Sequence, residues 1–427
     1  MRTWWWRWRQ ASRRLWVRTT LIGCLGIATA LLAAVVETWI PWKMPAFVQV
    51  EAIESLLTII ASSMLAVTTF SLGIMTSAYG SASNGVTPRA TTLLMEDSLT
   101  QAVLASFIGS FIFSIVGMIV LRFGAYGERG RVVLFVVTIA VIALIVINLL
   151  RWIDYLTRFG RSGETTDRVE AASKAALSQR LAQPYLGGHA WPAPHVVPAQ
   201  AQAVRAHQVG WVQHVDMPAL QEAAQAMNAR LYVAAAPGKH VFLDSPLVWI
   251  EYLNGARDAD EGDELLASIG AAFSIGTSRN FEQDPRFGLA VMCEIASRAL
   301  SPATNDAGTA LDIISRTTRL LSMWGAEQQA LVNDECPVDY ASLYVPPLQS
   351  ADLLDDAFML VGRDGAGLIE VQLCLQKALA ALSRVGNADF RHAAKHQAQL
   401  AMTRAEHAMA HDADKQRLRE LVVQLYA

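Results

Sequence analysis

The chain of 427 residues is 53% hydrophobic and only 17% charged, with a mean hydropathy of +0.28 and a formal net charge of −3. This composition is too apolar for an ordinary soluble protein, and the lack of a basic excess argues against a nucleic-acid partner. The charge is also uneven, because residues 1–150 carry 11 Lys and Arg against 6 Asp and Glu, whereas residues 151–427 carry 24 against 32. A basic, apolar first part therefore predicts a membrane domain, followed by a water-exposed domain.

Four apolar segments in the first part of the chain are long enough to cross a bilayer, which takes about 20 helical residues. They cover residues 17–36, 53–75, 99–121 and 132–150, so residues 1–160 are predicted to form a transmembrane domain of four helices. A cleaved signal peptide is the rival interpretation of the first segment, since Ala28-Thr29-Ala30 resembles a cleavage site. The apolar run continues beyond these residues, which favours a membrane helix.

The distribution of basic residues predicts the orientation. Six arginines lie within the first 18 residues, and five basic residues lie within residues 151–174. Because the cytoplasmic flanks of membrane helices are enriched in Lys and Arg, both termini are predicted to be cytoplasmic in a multi-pass protein of the bacterial inner membrane. The second outer loop, with Arg122, Arg129 and Arg131, is a mild exception.

The second apolar segment carries polar side chains along one side. At 100° per residue they fall within about 60° of one another. This polar stripe consists of Glu51, Ser55, Thr58, Ser62, Thr69 and Thr76. Two interpretations are open: a packing seam, which is the ordinary use of small hydroxyl residues, or the lining of a water-filled path, with Leu65 and Leu72 near a hydrophobic constriction.

The third and fourth apolar segments differ in their side chains. The third has small residues at spacings of four, which predicts a central, tightly packed helix; they are Ala102, Ser106, Ser110 and Ser114, together with Ala105, Gly109 and Gly117. The fourth is almost entirely Val, Ile, Leu and Ala, which predicts a lipid-facing helix.

The remaining sequence predicts a cytoplasmic α+β domain. Residues 161–260 hold a linker helix and a small β-rich module, in which a strand at 203–216 precedes a helix that has Pro218 in its first turn. Two further strands meet at Pro237-Gly238. Residues 261–427 are mainly helical, with helices at 263–274, 287–300 and 307–324 and more helices after residue 349. The predicted fold class is thus a four-helix membrane domain joined to this α+β domain.

The segment at 297–312, SRALSPATNDAGTALD, lies between two of these helices. Pro302 opposes extension of the first helix, and the polar residues that follow it can cap the second, which predicts a helix–helix corner. The functional alternative is a polar cluster that binds an anion or small ligand, composed of Arg279, Asp284, Arg298, Asn305, Asp306 and Thr309.

Motifs for catalysis and cofactor binding are not evident. The sequence has no GxxxxGK[ST] phosphate loop, nucleophile elbow or CxxC pair, so we predict no enzyme, no cofactor and no metal. Two His pairs at i,i+4 spacing, His392 with His396 and His407 with His411, fit a shared metal by spacing alone.

Three stretches together resemble a known family: ASSMLAVTTFSLGIM, then Thr87-Pro88-Arg89, then DPRFGLAVMCEIASRALSPATND, with support from GWVQHVD. They are similar to a family of predicted bacterial membrane proteins, domain of unknown function twenty-two fifty-four, and the resemblance covers nearly the whole chain from about Arg14. It implies a membrane domain with a cytoplasmic domain and brings no established activity.

Two functions are therefore predicted. The first is an oligomeric channel-like or transport-like protein, in which the polar stripe lines the path and the cytoplasmic domain gates it. The second is a membrane-anchored sensor or scaffold that binds a ligand or partner through residues 279–306. The predicted partners are the lipid bilayer and further copies of the chain, with no nucleic acid.

Overall fold

The computed structural model describes residues 15–35, 49–95, 97–124, 126–156, 162–191, 194–253, 259–331 and 338–427. The chain divides into two compact units, an N-terminal unit that ends at Thr165 and a C-terminal unit that begins at Thr166. Residues 1–14, whose arginines contribute to the predicted orientation, lie outside the described residues.

The described part of the N-terminal unit is helical. Its helices are α1 (Leu15–Val35), α2 (Val50–Gly85), α3 (Thr91–Met95), α4 (Ser98–Arg122) and α5 (Glu128–Leu156).

Three stretches of these helices are long and apolar enough to cross a membrane, namely Val50–Ser81, Thr91–Arg122 and Arg129–Leu156. The first predicted segment forms α1, but its apolar stretch among the described residues is only Thr19–Leu32. Fourteen residues extend about 21 Å as a helix, against about 30 Å of hydrocarbon. The structure thus supports three candidate spans, and the predicted four are not confirmed.

Helix α4 is central in the N-terminal unit, since it contacts α1, α2 and α5. A Cβ atom at Gly109 would lie 2.6 Å from Ile22 Cγ2, and one at Gly26 would lie 2.8 Å from the Gly109 carbonyl oxygen. Glycine therefore lets α1 and α4 cross at close range. The prediction that the third apolar segment is central and tightly packed is confirmed.

Helix α5 exposes an apolar face. Its large exposed side chains are Val136, Ile139, Leu144, Val146, Ile147, Leu150 and Ile153. Its inner side makes two polar contacts, from Asn148 Nδ2 to Ser106 Oγ at 2.7 Å and from Trp152 Nε1 to Ser71 Oγ at 2.8 Å. This pattern agrees with the predicted lipid-facing helix.

The C-terminal unit contains two sheets and nine helices among its described residues. The strands are β1 (His189–Ala190), β2 (Gln202–Arg205), β3 (Gly210–Val215), β4 (Ala229–Val233), β5 (His240–Val241), β6 (Pro246–Tyr252), β7 (Phe273–Gly276) and β8 (Leu343–Val345). The helices are α6 (Ser162–Ala182), which begins just before the unit, α7 (Met217–Ala226), α8 (Ala259–Ala271), α9 (Pro285–Ala299), α10 (Ala307–Leu331), α11 (Ser350–Asp364), α12 (Ile369–Leu382), α13 (Ala388–Ala408) and α14 (Asp412–Tyr426).

The two sheets interleave parts of the chain that are distant in sequence. One sheet has the order β1-β8-β4-β6-β2 and the other β5-β3-β7. Strand β8 pairs in parallel with β4, with Leu343 opposite Leu231. The predicted division at residue 260 therefore falls inside one unit, because β7 and β8 complete sheets that begin before it. The strand predicted at 203–216 is in fact two, β2 and β3, which belong to different sheets.

Local signals define the helices that surround the sheets. Asp216 caps α7 by accepting a hydrogen bond from Ala219 N at 3.2 Å, and Pro218 lies in its first turn as predicted. Asn387 caps α13 in the same way, through Phe390 N at 2.9 Å. The inner sides of the strands and α7 share one core, which is built on Leu220, Leu231, Val233, Val248 and Ile250.

Candidate functional site

The polar stripe lies on the surface of the N-terminal unit. All six of its residues are exposed. Four of its hydroxyls, those of Thr58, Ser62, Thr69 and Thr76, each donate to the carbonyl four residues earlier at 2.6 to 3.0 Å. The Thr58 hydroxyl also lies 3.3 Å from Met118 Sδ of α4. The stripe is thus exposed along its length, with a contact to α4 at Thr58.

The opposite side of α2 is buried and mostly apolar. Ile53, Leu57, Ile60 and Met64 are each at most 5% exposed and pack toward the other helices. Large apolar side chains flank the stripe, with Leu65 and Leu72 on one side and Ile59 and Phe70 on the other, and all four are exposed. The stripe is thus a polar line within an apolar surface.

An ion pair joins α2 to α4 near the start of α2. Arg122 donates from Nη2 and Nε to Glu54 Oε1 at 2.5 and 2.8 Å. Glu54 is the carboxylate in the second predicted segment, so its charge is matched within the unit.

A second group of polar residues surrounds the start of α9. Arg279 donates from Nε to Asp284 Oδ2 at 2.7 Å and from Nη2 to Oδ1 at 3.0 Å. Asp284 is 2% exposed, and it also caps α9 by accepting from the amides of Arg286 and Phe287. Such two-pronged pairs are the strong form of an ion pair.

The guanidinium of Arg279 lies between two aromatic rings. Its Cζ is 5.4 Å from the centre of the Trp211 ring and 5.2 Å from that of Phe287. These distances are typical of cation–π contacts. The Arg279 guanidinium thus contacts the Asp284 carboxylate and the aromatic rings of Trp211 and Phe287.

Further charged groups extend this cluster. Arg180, at the end of α6, is 5% exposed, and burial lowers its pKa to about 10 although the charge of Asp284 opposes that shift. Arg286 pairs with Asp352 at 2.6 Å and with Asp356 at 2.5 Å on α11. Burial raises the pKa of Asp356, against the opposing effect of Arg286.

The corner between α9 and α10 is an exposed capping turn. Asp306 accepts hydrogen bonds from Thr309 N at 3.0 Å and Thr309 Oγ1 at 2.5 Å, which lower its pKa. Asn305 adopts the left-handed conformation, with φ of 49°. Asp306 N donates to Ala299 O at 2.8 Å and closes the turn. These contacts match the predicted helix–helix corner.

The six residues predicted as one polar cluster form two groups. Arg279 and Asp284 meet at the start of α9, whereas Asn305, Asp306 and Thr309 follow its end. The 15 residues of α9 separate the groups by about 21 Å. The single cluster predicted from sequence is therefore not formed, because a rigid helix lies between its halves. Arg298, in the last turn of α9, belongs to the corner end.

Most residues of the cluster at the start of α9 are not among the candidates predicted from the sequence. Arg180, Arg286, Asp352 and Asp356 come from three helices that are distant in sequence. The one local signal was Asp284-Pro285, a typical helix start, whose acidic cap was already a candidate.

No group of three His, Cys, Asp or Glu suited to a metal occurs among the residues that the structure describes. The four histidines of the two i,i+4 pairs are exposed, and His407 Nδ1 lies 2.9 Å from Thr403 O in its own helix.

Comparison with known proteins identifies the family. Residues 12–381 match the family described as predicted membrane protein, DUF2254. The chain is a DUF2254 protein. An uncharacterised protein of Mycobacterium bovis and one of Mycobacterium tuberculosis are each 26% identical to it over 232 residues. The alignment covers 54% of this chain but only 44% of each relative, so the DUF2254 protein spans less than half the length of these relatives. No solved structure matches it.

Proposed function

We propose that this DUF2254 protein is an oligomeric, channel-like or transport-like protein of the bacterial inner membrane, in which the polar stripes of several copies surround a path for ions or small solutes. One observation carries the proposal, namely the difference between two exposed helix faces in the same unit. The exposed face of α5 is apolar, as a lipid-facing surface should be, whereas the exposed face of α2 bears a line of hydroxyls.

The hydroxyls on this face do not by themselves require water, because their hydrogen bonds are made within α2. A hydroxyl oxygen that donates to a carbonyl still has a lone pair that can accept a hydrogen bond from water or contact a cation. The stripe therefore suits contact with a water-filled path better than contact with lipid. The flanking Leu65 and Phe70 provide apolar sides for contact with neighbouring copies or for a hydrophobic constriction. An oligomer is needed because one stripe cannot enclose a path.

The C-terminal unit is proposed to regulate this path from the cytoplasm. Helix α6 begins at Ser162, six positions after the end of α5. Ion pairs connect α6 to another helix of the C-terminal unit. Arg316 and Arg319 on α10 both pair with Glu170 of α6 at 2.8 and 2.7 Å. A movement in this unit would therefore reach α6 directly. The cytoplasmic orientation of both termini is part of the proposal and follows from the Lys and Arg distribution.

The direct test is current through planar bilayers that hold the purified full-length protein. Thr69→Trp places a large ring in the middle of the stripe and is expected to abolish discrete conductance. Leu144→Trp makes the same change on the exposed face of α5 and is expected to leave conductance intact. Silence of the unaltered protein under voltage, tension and osmotic drive would contradict the proposal.

Cross-linking tests the oligomer separately. In a background in which the exposed Cys24 is replaced by Ser, oxidation of Ser62→Cys is expected to give linked dimers in the membrane, because stripes of neighbouring copies face a common interior. Val146→Cys on α5 is the matched control and is expected to stay unlinked. A monomeric mass in nanodiscs together with unlinked Ser62→Cys would count against the assembly.

The alternative, a membrane-anchored sensor or scaffold that uses residues 279–306, has less support from the geometry. Arg279 donates from Nε and Nη2 to Asp284, and Asp306 accepts from Thr309, so both side chains are hydrogen-bonded within the chain. Binding of a ligand there would require those contacts to break. The proposal involves no catalysis and no cofactor.

A further inference from the structure

The crossover between the two sheets of the C-terminal unit exposes large apolar side chains. Residues 242–245 connect β5, in one sheet, to β6, in the other. Within this crossover Phe242 is 62% exposed and Leu243 is 57% exposed. Val209 lies beside them, because Gly210 pairs with Val241, and it is 54% exposed. We call Val209, Phe242 and Leu243 the apolar tip.

Four hydrogen bonds hold the backbone under the apolar tip. Phe242 N donates to Ser245 Oγ at 3.0 Å, and Ser245 N donates back to Phe242 O at 3.1 Å. Asp244 N donates to Ala206 O at 3.0 Å, and Ala206 N donates to Ser245 O at 2.8 Å. The turn thus presents Phe242 and Leu243 outward as part of a hydrogen-bonded structure.

Aromatic rings support the tip from behind. The Phe242 ring lies 4.8 Å from the ring of His240, which in turn lies 4.8 Å from that of Trp211. Through His240, the tip is therefore packed against Trp211, whose ring also contacts Arg279. A rigid pair of exposed apolar side chains loses little entropy on docking, which is the usual benefit of a preformed contact surface.

We propose that the apolar tip inserts into the headgroup region of the bilayer that holds the N-terminal helices of the same chain. The occupant is argued from that connection, since the three candidate spans tether the C-terminal unit to a lipid bilayer. Three apolar side chains bind a membrane weakly on a free protein, but on a tethered one the contact is intramolecular and the effective concentration is high.

The charges next to the tip suit an anionic lipid surface. Arg205 is exposed and donates from Nη1 to Asp244 O at 2.8 Å, at the base of the turn. Lys239 is also exposed and precedes Phe242 by three residues, and its Nζ donates to Ala234 O at 2.7 Å. Asp244 is the opposing charge, so the tip and its base are net positive, and basic residues beside inserted apolar groups favour the negatively charged leaflet. The proposal is independent of the channel proposal above.

The test uses the full-length protein in nanodiscs that contain anionic lipid, in a background without other reactive thiols. Leu243→Cys carries an environment-sensitive fluorophore, and Val423→Cys on α14, another exposed apolar position of the same unit, is the matched control. At position 243 we expect a blue-shifted emission and strong quenching by lipids that carry a nitroxide near the headgroup. At position 423 we expect no blue shift and no quenching.

Two outcomes would overturn the proposal. The first is an emission at position 243 that matches the water-exposed control. The second is a blue shift without quenching by the lipid nitroxide, which would mean that the tip docks on protein, such as a second copy. Phe242→Ser in the labelled chain removes the aromatic side chain of the turn and is expected to reduce the lipid quenching. Only a small loss of thermal stability is expected, because the ring is 62% exposed although it packs on His240.

Discussion

Gly238 lies against Asp284 so closely that a Cβ atom at position 238 would fall 2.5 Å from the Asp284 carboxylate. Its φ of +90° is also one that residues with a side chain rarely adopt. The turn at Pro237-Gly238 therefore closes over the buried ion pair between Arg279 and Asp284. The Gly238 backbone packs on the Asp284 carboxylate, which is paired with the Arg279 guanidinium. This packing leaves no space for a methyl group at position 238.

Gly238→Ala is accordingly expected to destabilise the protein by about 2 kcal/mol, from the strained φ and the displaced carboxylate together. Thermal unfolding of the purified protein measures the change. Gly270→Ala is the control, because no atom lies within 4 Å of a Cβ there. Since Gly270 lies in α8, alanine is expected to raise stability slightly, by up to about 1 kcal/mol. Equal effects of the two changes would refute the close approach.

The buried pair itself is open to a double-mutant test. Asp284→Asn keeps an oxygen to cap α9 but removes the charge that faces Arg279, and it is expected to cost about 3 kcal/mol. Arg279→Met keeps the packing of the stem between the aromatic rings. The double variant is expected to cost clearly less than the sum of the two single changes, because neither buried charge is then left alone.

The control for that cycle is Asp306→Asn at the exposed corner. Asn also caps helices well, so this change is expected to lie within about 0.5 kcal/mol of the unaltered protein. Additive costs for Arg279→Met and Asp284→Asn would show that the pair contributes no coupling energy.

Local features of the fold were predictable from the sequence, and distant pairings were not. Asp216 followed by Pro218 marks the start of α7, and the corner at 302–306 is capped by Asp306 as its residue types indicate. By contrast, nothing local in Leu343–Val345 shows that this strand lies between β1 and β4. Strand partners so far apart in sequence are set by burial and register across the whole unit, which periodicity alone does not reveal.

The arrangement of the polar residues was also predicted only in part, because it too depends on contacts between segments that are distant in sequence. Position on a helix wheel was enough to place the stripe on one side of α2. It did not tell whether that side is covered, which depends on how α4 packs against the buried Ile60 and Met64. In the C-terminal unit, proximity in sequence suggested that Asp284 and Asp306 belong together, but the intervening helix α9 keeps them apart.

His214 makes stability depend on pH. Burial lowers its pKa to about 4, although Asp216 acts in the opposite direction. In the unfolded chain the pKa is about 6.5, so that chain binds a proton at a pH where the folded form does not. Stability is therefore complete above about pH 6.5 and is lost as the pH falls toward 4, by up to about 3 kcal/mol.

His214→Gln is expected to flatten this loss, so that the difference in unfolding temperature between pH 7 and pH 5 becomes smaller than in the unaltered protein. His392→Gln, at an exposed histidine, is the comparison and is expected to keep the original slope. A slope unchanged by His214→Gln would mean that carboxylates alone cause the acid sensitivity.

The crossing of α1 and α4 depends on the absence of a side chain at Gly109. A Cβ there would lie 2.6 Å from Ile22 Cγ2 and 3.3 Å from the Ile22 carbonyl oxygen, so Gly109→Val has to push the two helices apart. Overpacking of this kind typically costs about 1–3 kcal/mol. Thermal unfolding in a mild detergent measures the change, with Gly73→Val on α2 as the control, because no atom lies within 4 Å of a Cβ at Gly73. A marked loss for Gly109→Val and a small one for Gly73→Val is expected. Equal losses would indicate that α1 contributes little to the unit, since the valine at position 109 would then meet no resistance from Ile22.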